Sequence, residues 1–141
     1  MFMIQPFIRP ATTADLPALC ALADAVRVCR PDSGDHVWLA AAGGAPLGFA
    51  ACSCVLDEME LLSLAVAPAA RRQGIATALH QAVLAALAPA VAYLEVRADN
   101  TAAQALYRRL GYRDSGRRKA YYANPDSSRT DALLMTLFIP E

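Results

Sequence analysis

The sequence predicts one mixed α/β (α+β) domain over residues 1–141, built on a mostly antiparallel sheet with a parallel pair of strands at its centre. A chain of 141 residues suits a single compact domain. Runs of β-forming residues in the middle of the chain are joined by turn residues, which is typical of an antiparallel meander. A helical segment then separates two later strands, and such a crossover places the strands that it joins parallel.

The first half of the chain predicts one strand, one helix and three further strands. A strand over residues 4–9 ends at Pro10, and Thr12 or Thr13 then caps a helix over 14–26. The meander follows, with turns at Gly43-Gly44 and Asp57-Glu58. Its strands are predicted over residues 36–42, 47–55 and 60–67.

The second half predicts two helices and three strands, which completes the order β-α-β-β-β-α-β-α-β-β. Apolar residues four apart, from Ile75 to Leu87, indicate a helix that Pro89 ends. Asn100 caps a second helix, and Gly111 occupies its C′ position. Strands are predicted over 91–98, 112–116 and 132–139, with a polar loop over 124–128.

Composition excludes several classes of function. The chain has 13 basic and 13 acidic residues, and this balance argues against a general binder of nucleic acid or anionic membranes. Cys52-x-Cys54 lacks the spacing of a zinc site, so no metal is expected and these thiols are predicted to be small buried hydrophobes. The apolar run 82–94 is shorter than the roughly 20 residues of a spanning helix, and no targeting segment is visible. We therefore expect a soluble, cytoplasmic protein.

Residues 64–76 form the most informative segment, L-A-V-A-P-A-A-R-R-Q-G-I-A. A strand end, a short loop and a helix start follow one another here, and the free N–H groups of a helix start bind phosphate well. Arg71 and Arg72 add positive charge. The pattern differs from the glycine-rich motifs of dinucleotide folds and nucleoside triphosphatases. Taken alone, it is better explained as an ordinary helix start with solvated arginines.

Three polar residues in the following strand and helix are candidates for chemistry. Alternation over residues 93–97 places Glu95 among otherwise apolar strand residues, where burial is costly without a purpose or a partner. Glu95 is either a catalytic carboxylate or the partner of Arg97 or another arginine. Asn100 and Tyr107 share one helix face. Their structural alternatives are an N-cap and a core aromatic residue.

The spacing of these residues resembles that of a known family. Arg71-x-x-Gly74-x-Ala76 is followed by L-E-V-R-x-x-N-x-x-A-x-x-L-Y-x-x-L-G-Y over residues 94–112. The combination resembles the GNAT superfamily of acetyl-CoA-dependent N-acetyltransferases and, within it, the bacterial ribosomal-protein-alanine N-acetyltransferases of the RimI type. The likeness extends from residue 55 to residue 132.

This resemblance implies a role for each candidate and a GNAT-like fold. Glu95 matches the general base and Tyr107 the general acid beside the cofactor sulfur, with acetyl-CoA as cosubstrate. Asn100 would bind the pantetheine arm, and Leu64, Ala65 and Val66 would offer it main-chain groups. The residues implied at the pyrophosphate are Arg71, Arg72, Gln73, Gly74, Ile75, Ala76 and Thr77.

The expected acceptor site departs from the family on one side. The RimI type has a longer region where this chain has only Arg27 to Asp35, which leaves the acceptor open. The other wall is predicted to be the loop between the last two strands, where Arg117, Arg118 and Lys119 precede two tyrosines. Paired exposed aromatics commonly mark recognition surfaces. The residues expected to bind the acceptor are Tyr121 and Tyr122.

Three functions are compatible with these observations. The leading hypothesis is direct acetyl transfer to an N-terminal α-amine, of the alanine type, on a protein such as a small ribosomal-subunit protein. The second keeps the chemistry but takes a small amine such as a polyamine, an amino sugar or an amino acid. The third is a regulatory module that binds acyl-CoA without turnover. We expect a monomer or weak homodimer that binds neither nucleic acid nor membrane.

Overall fold

The computed structural model describes residues 7–140, whose strands form a single mixed sheet in the order β1-β2-β3-β4-β5-β7-β6. The strands are β1 (Phe7–Pro10), β2 (His36–Ala42), β3 (Ala45–Val55), β4 (Glu58–Val66), β5 (Val91–Arg97), β6 (Arg113–Ala123) and β7 (Arg129–Phe138). The helices are α1 (Leu16–Val26), α2 (Ile75–Leu87) and α3 (Thr101–Arg109), and 3-10 turns occur at Thr13–Asp15 and Pro68–Ala70. No helix in this part of the chain is long and apolar enough to cross a membrane.

The predicted order of elements is confirmed, with local differences in their bounds. The strand predicted over 4–9 begins outside the described residues, so only its second half can be compared. The first helix opens with the 3-10 turn, in which the Asp15 carboxylate accepts the Thr12 N–H at 2.7 Å. The turn between β3 and β4 lies at Leu56-Asp57, where Leu56 takes a left-handed φ of 56°.

The strand predicted over 112–116 is too short, and this changes the location of the acceptor residues. β6 extends to Ala123, so the cluster from Arg117 to Tyr122 lies on a strand rather than on a loop. β6 is an edge strand that is exposed along nearly its whole length. It therefore shows no alternation of apolar and polar residues, which is the signal that predicts a strand. The connecting loop is confined to residues 124–128.

Helices cover the two faces of the sheet. On one face, Leu19 and Ala23 of α1 pack with Phe49 of β3 and Ala65 of β4. On the opposite face, α2 buries its apolar stripe against β3, β4 and β5, and α3 packs beside it. Ala92, Leu94 and Val96 of β5 point to this α2 face and are buried. The other residues of β5 therefore face the α1 side of the sheet, beyond the cover of α1 itself.

The central parallel pair is confirmed, but it is short. β4 pairs with β5 only from Glu58–Val91 to Glu60–Tyr93. Beyond this point β4 carries a bulge, because Ala51 pairs with Ser63 while the adjacent Cys52 pairs with Leu61, which leaves Leu62 unmatched. The C-terminal halves of β4 and β5 thus diverge and leave a gap in the middle of the sheet.

Candidate active site

The gap between β4 and β5 presents unpaired main-chain groups. The Ala67 N–H donates to the Leu47 carbonyl at 2.7 Å, which fixes the phase of the β3–β4 ladder. Alternation then directs Ala65 toward β3 and directs Leu64 and Val66 into the gap. Leu64 and Val66 therefore direct main-chain groups into the gap, whereas the Ala65 main chain belongs to the ladder.

The loop before α2 follows β4 and presents main-chain N–H groups that lack a main-chain acceptor. Arg72 and Gly74 both have left-handed backbone angles, with φ of 64° and 77°. In the described part of the chain, no main-chain acceptor outside the helices and strands takes the N–H groups of residues 72–77. Such a run at a helix N-terminus favours an anion such as phosphate. This segment consists of the residues predicted to hold the pyrophosphate: Arg72, Gln73, Gly74, Ile75, Ala76 and Thr77.

Arg71, the first residue after the 3-10 turn at Pro68–Ala70, hydrogen-bonds back to the preceding strand. Its Nε donates to the Val66 carbonyl at 3.3 Å, so its side chain folds back onto the end of β4. Arg72 is exposed. Gln73, between the two left-handed residues, has a buried side-chain oxygen without a donor.

Asn100 is the N-cap of α3, at the end of β5. Its Oδ1 accepts the Ala103 N–H at 3.1 Å, so this oxygen caps the helix, as the structural alternative for Asn100 predicted. The Nδ2 group makes no hydrogen bond within residues 7–140 and can donate to a ligand. Gln104, which the sequence analysis missed, is buried and donates to the carbonyls of Arg97 and Ala98 at 3.0 and 3.1 Å. The sequence feature that could have indicated Gln104 is its polar side chain four residues after Asn100, on the same face of α3.

Glu95 lies on the α1 side of β5, with its side chain 21% exposed. Its ion-pair partner is Arg118 of β6, whose Nε is 3.2 Å from Oε1. Arg97, the partner considered first from the sequence, instead binds Asp99 at 3.0 Å and Asn124 at 2.7 Å. Glu95 is therefore a fixed carboxylate that remains partly accessible from solvent.

A second carboxylate that the sequence analysis missed lies close to Glu95. Glu60 is the last residue of β4 that pairs with β5, opposite Tyr93. Partners in a ladder share one face, so Glu60 lies on the same side of the sheet as Glu95. Burial raises the pKa of Glu60, and the charge of Glu95 raises it further. The signal in the sequence was a charged residue within an apolar run, but its neighbour could be found only from the strand register.

Tyr107 lies on α3, and its side chain packs against the core on the α2 face of the sheet. Its ring meets that of Tyr112 edge to face at 6.1 Å. Burial raises the pKa of Tyr107 to about 12. Tyr112 is fully buried and its hydroxyl is 3.0 Å from Nε2 of the buried His80. Tyr112 is thus tied into the core, whereas the Tyr107 hydroxyl has no hydrogen-bond partner among the described residues.

Tyr121 and Tyr122 of β6 lie near Glu95. Their rings meet edge to face at 5.0 Å. The Arg118 guanidinium lies 5.4 Å from the centre of the Tyr121 ring, and that of Arg97 lies 5.4 Å from the centre of the Tyr122 ring. The nearby Glu95 carboxylate raises the pKa of Tyr121, and burial together with that carboxylate raises the pKa of Tyr122. Both tyrosines are therefore close to the candidate base.

The cysteines and acidic residues show no metal site in the described residues. All four thiols are free, and residues 7–140 contain no cluster of three or more His, Cys, Asp or Glu side chains suited to a metal. Cys52 is buried as predicted, and burial raises its pKa to about 12. Cys54 is only partly buried and Cys29 is exposed.

Comparisons with known proteins agree with this geometry. Residues 4–112 match the model of the acetyltransferase (GNAT) family. The chain is 43% identical over 96 residues to the ribosomal protein bS18-alanine N-acetyltransferase of Haemophilus ducreyi, a match that covers 66% of each chain. It is 41% identical over 97 residues to the enzyme of that name from Escherichia coli K12, over 67% of this chain and 65% of the relative. These alignments therefore span just under two thirds of each relative's length.

The fold extends the similarity to nearly the whole chain. The crystal structure of the ribosomal-protein-S18-alanine N-acetyltransferase from Escherichia coli superposes with a TM-score of 0.82 at 32% sequence identity. The superposition covers 97% of this chain and 96% of that one. The likeness in fold therefore extends over nearly the whole of both chains.

Proposed function

The chain belongs to the acetyltransferase (GNAT) family, and from this membership we propose that it transfers acetyl from acetyl-CoA directly to the N-terminal α-amine of a protein that begins with alanine. Relatives at 43% and 41% identity carry names that specify an alanine of ribosomal protein bS18. We therefore propose that small-subunit ribosomal protein as the acceptor, which implies action in the cytoplasm.

The observation that carries this proposal is the gap between β4 and β5 beside an anion-binding loop. Acetyl-CoA supplies an acetyl group activated as a thioester, together with a pyrophosphate. The N–H groups of residues 72–77 suit the pyrophosphate. Leu64, Val66 and the free Nδ2 of Asn100 suit the amide groups of the pantetheine arm. The donors present therefore fit the cosubstrate.

Glu95 prepares the acceptor for attack. An α-amine has a pKa of about 7.7–8.0 and is largely protonated at neutral pH, when it cannot attack a carbonyl. Glu95 is fixed by Arg118 yet partly exposed, so it can accept the proton of the amine directly or through water. No serine or cysteine nucleophile is needed, and Cys52 is buried as a protonated thiol. The acetyl group thus passes to the amine in one transfer.

Tyr107 and the β4 main chain stabilise the charge that develops. A free N–H of Leu64 or Val66 can bind the carbonyl oxygen as it becomes negative. The pKa of Tyr107, about 12, lies well above the value of about 8.5 for a simple thiol. Complete proton transfer from this phenol to a thiolate is therefore uphill, so Tyr107 assists the leaving sulfur chiefly as a hydrogen-bond donor.

The acceptor reaches Glu95 across an open face. Glu95 is 21% exposed on the α1 side of β5, where the connection from Arg27 to Asp35 is short. Tyr121 and Tyr122 of β6 lie near it. An accessible carboxylate beside two aromatic rings suits an extended peptide end, which favours the protein acceptor over a small amine.

Acetylation of defined acceptors tests the proposal. The purified chain is incubated with acetyl-CoA and an alanine-initiated peptide, with the same peptide blocked at its N-terminus as a control, and with a polyamine, an amino sugar and a free amino acid. We expect kcat/KM for the open peptide to exceed that for every small amine by about 10²-fold or more, with no product from the blocked peptide.

Two results would contradict the proposal. Preferential acetylation of a small amine would leave the chemistry intact but show that the acceptor is wrong. Tight binding of acetyl-CoA with no product from any acceptor would instead indicate a regulatory module.

A further inference from the structure

We propose that Arg118 is a positioning residue for the base: its guanidinium holds the Glu95 carboxylate in place and opposes protonation of the neighbouring Glu60, and it thereby sets the lower pH limit of acetyl transfer. This inference rests on the proposed function, since it concerns the same site. It assigns a task to a side chain that contacts the base but not the reacting atoms. It also explains why two carboxylates can share one face at the narrow end of the gap.

The strand register brings the three side chains together. Glu60 pairs with Tyr93, and Glu95 follows two residues later on the same face, so the two carboxylates are diagonal neighbours. Arg118 pairs with Ala132 of β7, which lies between β6 and β5. Ala132 is fully buried and small, so the guanidinium can reach across it to Glu95.

A bulge on β6 holds Arg118 in this position. Residues 119–121 have no pairing partner on β7, and Ala120 takes a left-handed φ of 52°. The Asp131 carboxylate accepts the Ala120 N–H at 2.8 Å, while Arg129 donates to the Ala120 carbonyl at 2.7 Å. Tyr121, within the bulge, packs under the Arg118 guanidinium. A left-handed alanine is strained, and the surrounding hydrogen bonds maintain it.

The charges of the neighbouring groups affect the protonation of the two carboxylates. Two carboxylates this close resist joint ionisation, because each charge favours the protonated form of the other. Burial and the charge of Glu95 raise the pKa of Glu60, while Arg118 lowers it. The groups facing Glu95 from the surrounding elements are Glu60 of β4, Tyr93 and Arg97 of β5, and Arg118, Tyr121 and Tyr122 of β6.

Among these groups, Arg118 is the cation available to the carboxylate pair. The Arg97 guanidinium is engaged with Asp99, Asn124 and Thr130. The tyrosines remain neutral near pH 7, since the pKa values of Tyr93, Tyr121 and Tyr122 are raised. Without Arg118, the pKa of Glu60 would rise further, and a proton held on Glu60 beside Glu95 would compete with the proton that the base must accept.

The test is the pH profile of kcat/KM for the alanine-initiated peptide, at saturating acetyl-CoA, for wild type and three variants. In Arg118→Gln we expect the acid limb to move up by about half to one pH unit, because an exposed ion pair is partly screened. Arg118→Lys keeps the positive charge and should return the acid limb most of the way to its wild-type pH. Arg113→Gln removes the same charge from the same strand, away from the carboxylates, and should leave the limb in place.

Two results would overturn the role of Arg118. A loss in Arg118→Gln that is equal at every pH would overturn the inference and make Arg118 a binding contact only. A profile identical to wild type would overturn it too. Thermal melting of each variant confirms that it is folded. If wild type acetylates no acceptor at any pH, the proposed function itself fails, which is distinguishable from a failure of the role of Arg118.

Discussion

Glu95 combines two properties that a base for an amine needs, a fixed position and access to the acceptor. The ion pair with Arg118 supplies the first, and the partial exposure of the side chain supplies the second. Tyr107 is its counterpart on the α2 side of the sheet, a phenol that burial keeps protonated. Glu95 therefore does pair with an arginine, as its structural alternative predicted, and this ion pair is compatible with a role as a base.

Substitution of these two residues should affect turnover rather than cosubstrate binding. We expect Glu95→Gln to lower kcat/KM for the peptide by about 10²–10⁴-fold, the range of a lost general base. Tyr107→Phe should lower it by about 10–100-fold, since a hydrogen bond to a charged group contributes about 1.5–3 kcal/mol. The dissociation constant of acetyl-CoA, measured by calorimetry, should change by less than about twofold in both.

Tyr112→Phe is the matched control, because it also removes one phenolic hydroxyl. The Tyr112 hydroxyl is hydrogen-bonded to His80 in the core. Its loss should lower the free energy of unfolding by about 1–2 kcal/mol and leave the rate nearly unchanged. Full activity in both Glu95→Gln and Tyr107→Phe would refute the mechanism.

At the scale of elements, the site depends on the path of β4. The bulge at Leu62 and the end of pairing at Glu60 separate β4 from β5, and Gly48 of β3 sets how closely β4 approaches on its other edge. A Cβ at Gly48 would lie 2.6 Å from the Ala65 carbonyl oxygen and 3.3 Å from a methyl group of Leu79. Only glycine permits this approach.

Gly48→Ala should therefore displace β4 at the gap. We expect the free energy of unfolding to fall by about 1–3 kcal/mol, as for other overpacked sites, and acetyl-CoA to bind more weakly. Gly34→Ala is the control, since a Cβ there meets no atom within 4 Å. Chemical denaturation and calorimetry would measure both quantities. Equal stability and affinity in the two variants would show that β4 is not held in this way.

Particular elements explain how far the sequence could predict this structure. The α2 stripe, the capping by Asn100 and the turn at Gly43-Gly44 depend on local patterns, and these were found. β6 was predicted too short because both of its faces are exposed. The pairing of Glu95 with Arg118 joins residues on strands that β7 separates, so it follows from sheet order, which local patterns do not encode.

At the scale of the whole molecule, several weak acids are buried in their protonated forms. Burial raises the pKa of Cys52 and of Tyr107 to about 12 each, from ordinary values of 9.0 and 10.0, and raises that of Tyr112 as well. In the unfolded chain these groups would ionise at their ordinary pKa values. The folded state therefore retains protons that the unfolded state releases at alkaline pH.

Stability should consequently fall as the pH rises above about 9. The contribution of these groups is fully present below their unfolded pKa values and is lost as the pH rises toward the folded ones. Each group lowers the free energy of unfolding by up to about 1.4 kcal/mol per pH unit in that window. Urea titrations between pH 8 and 11 would measure this, with Cys52→Ala expected to flatten the first part of the decline. A constant free energy of unfolding across this range would contradict the assignment.

The most direct test of the central claim is mass spectrometry of protein N-termini from cells with and without this chain. We predict that one N-terminal alanine, on the small-subunit ribosomal protein, loses its acetyl group when the chain is absent. Wild type should restore that group and Glu95→Gln should not. An unchanged set of acetylated N-termini in the absence of the chain would contradict the claim.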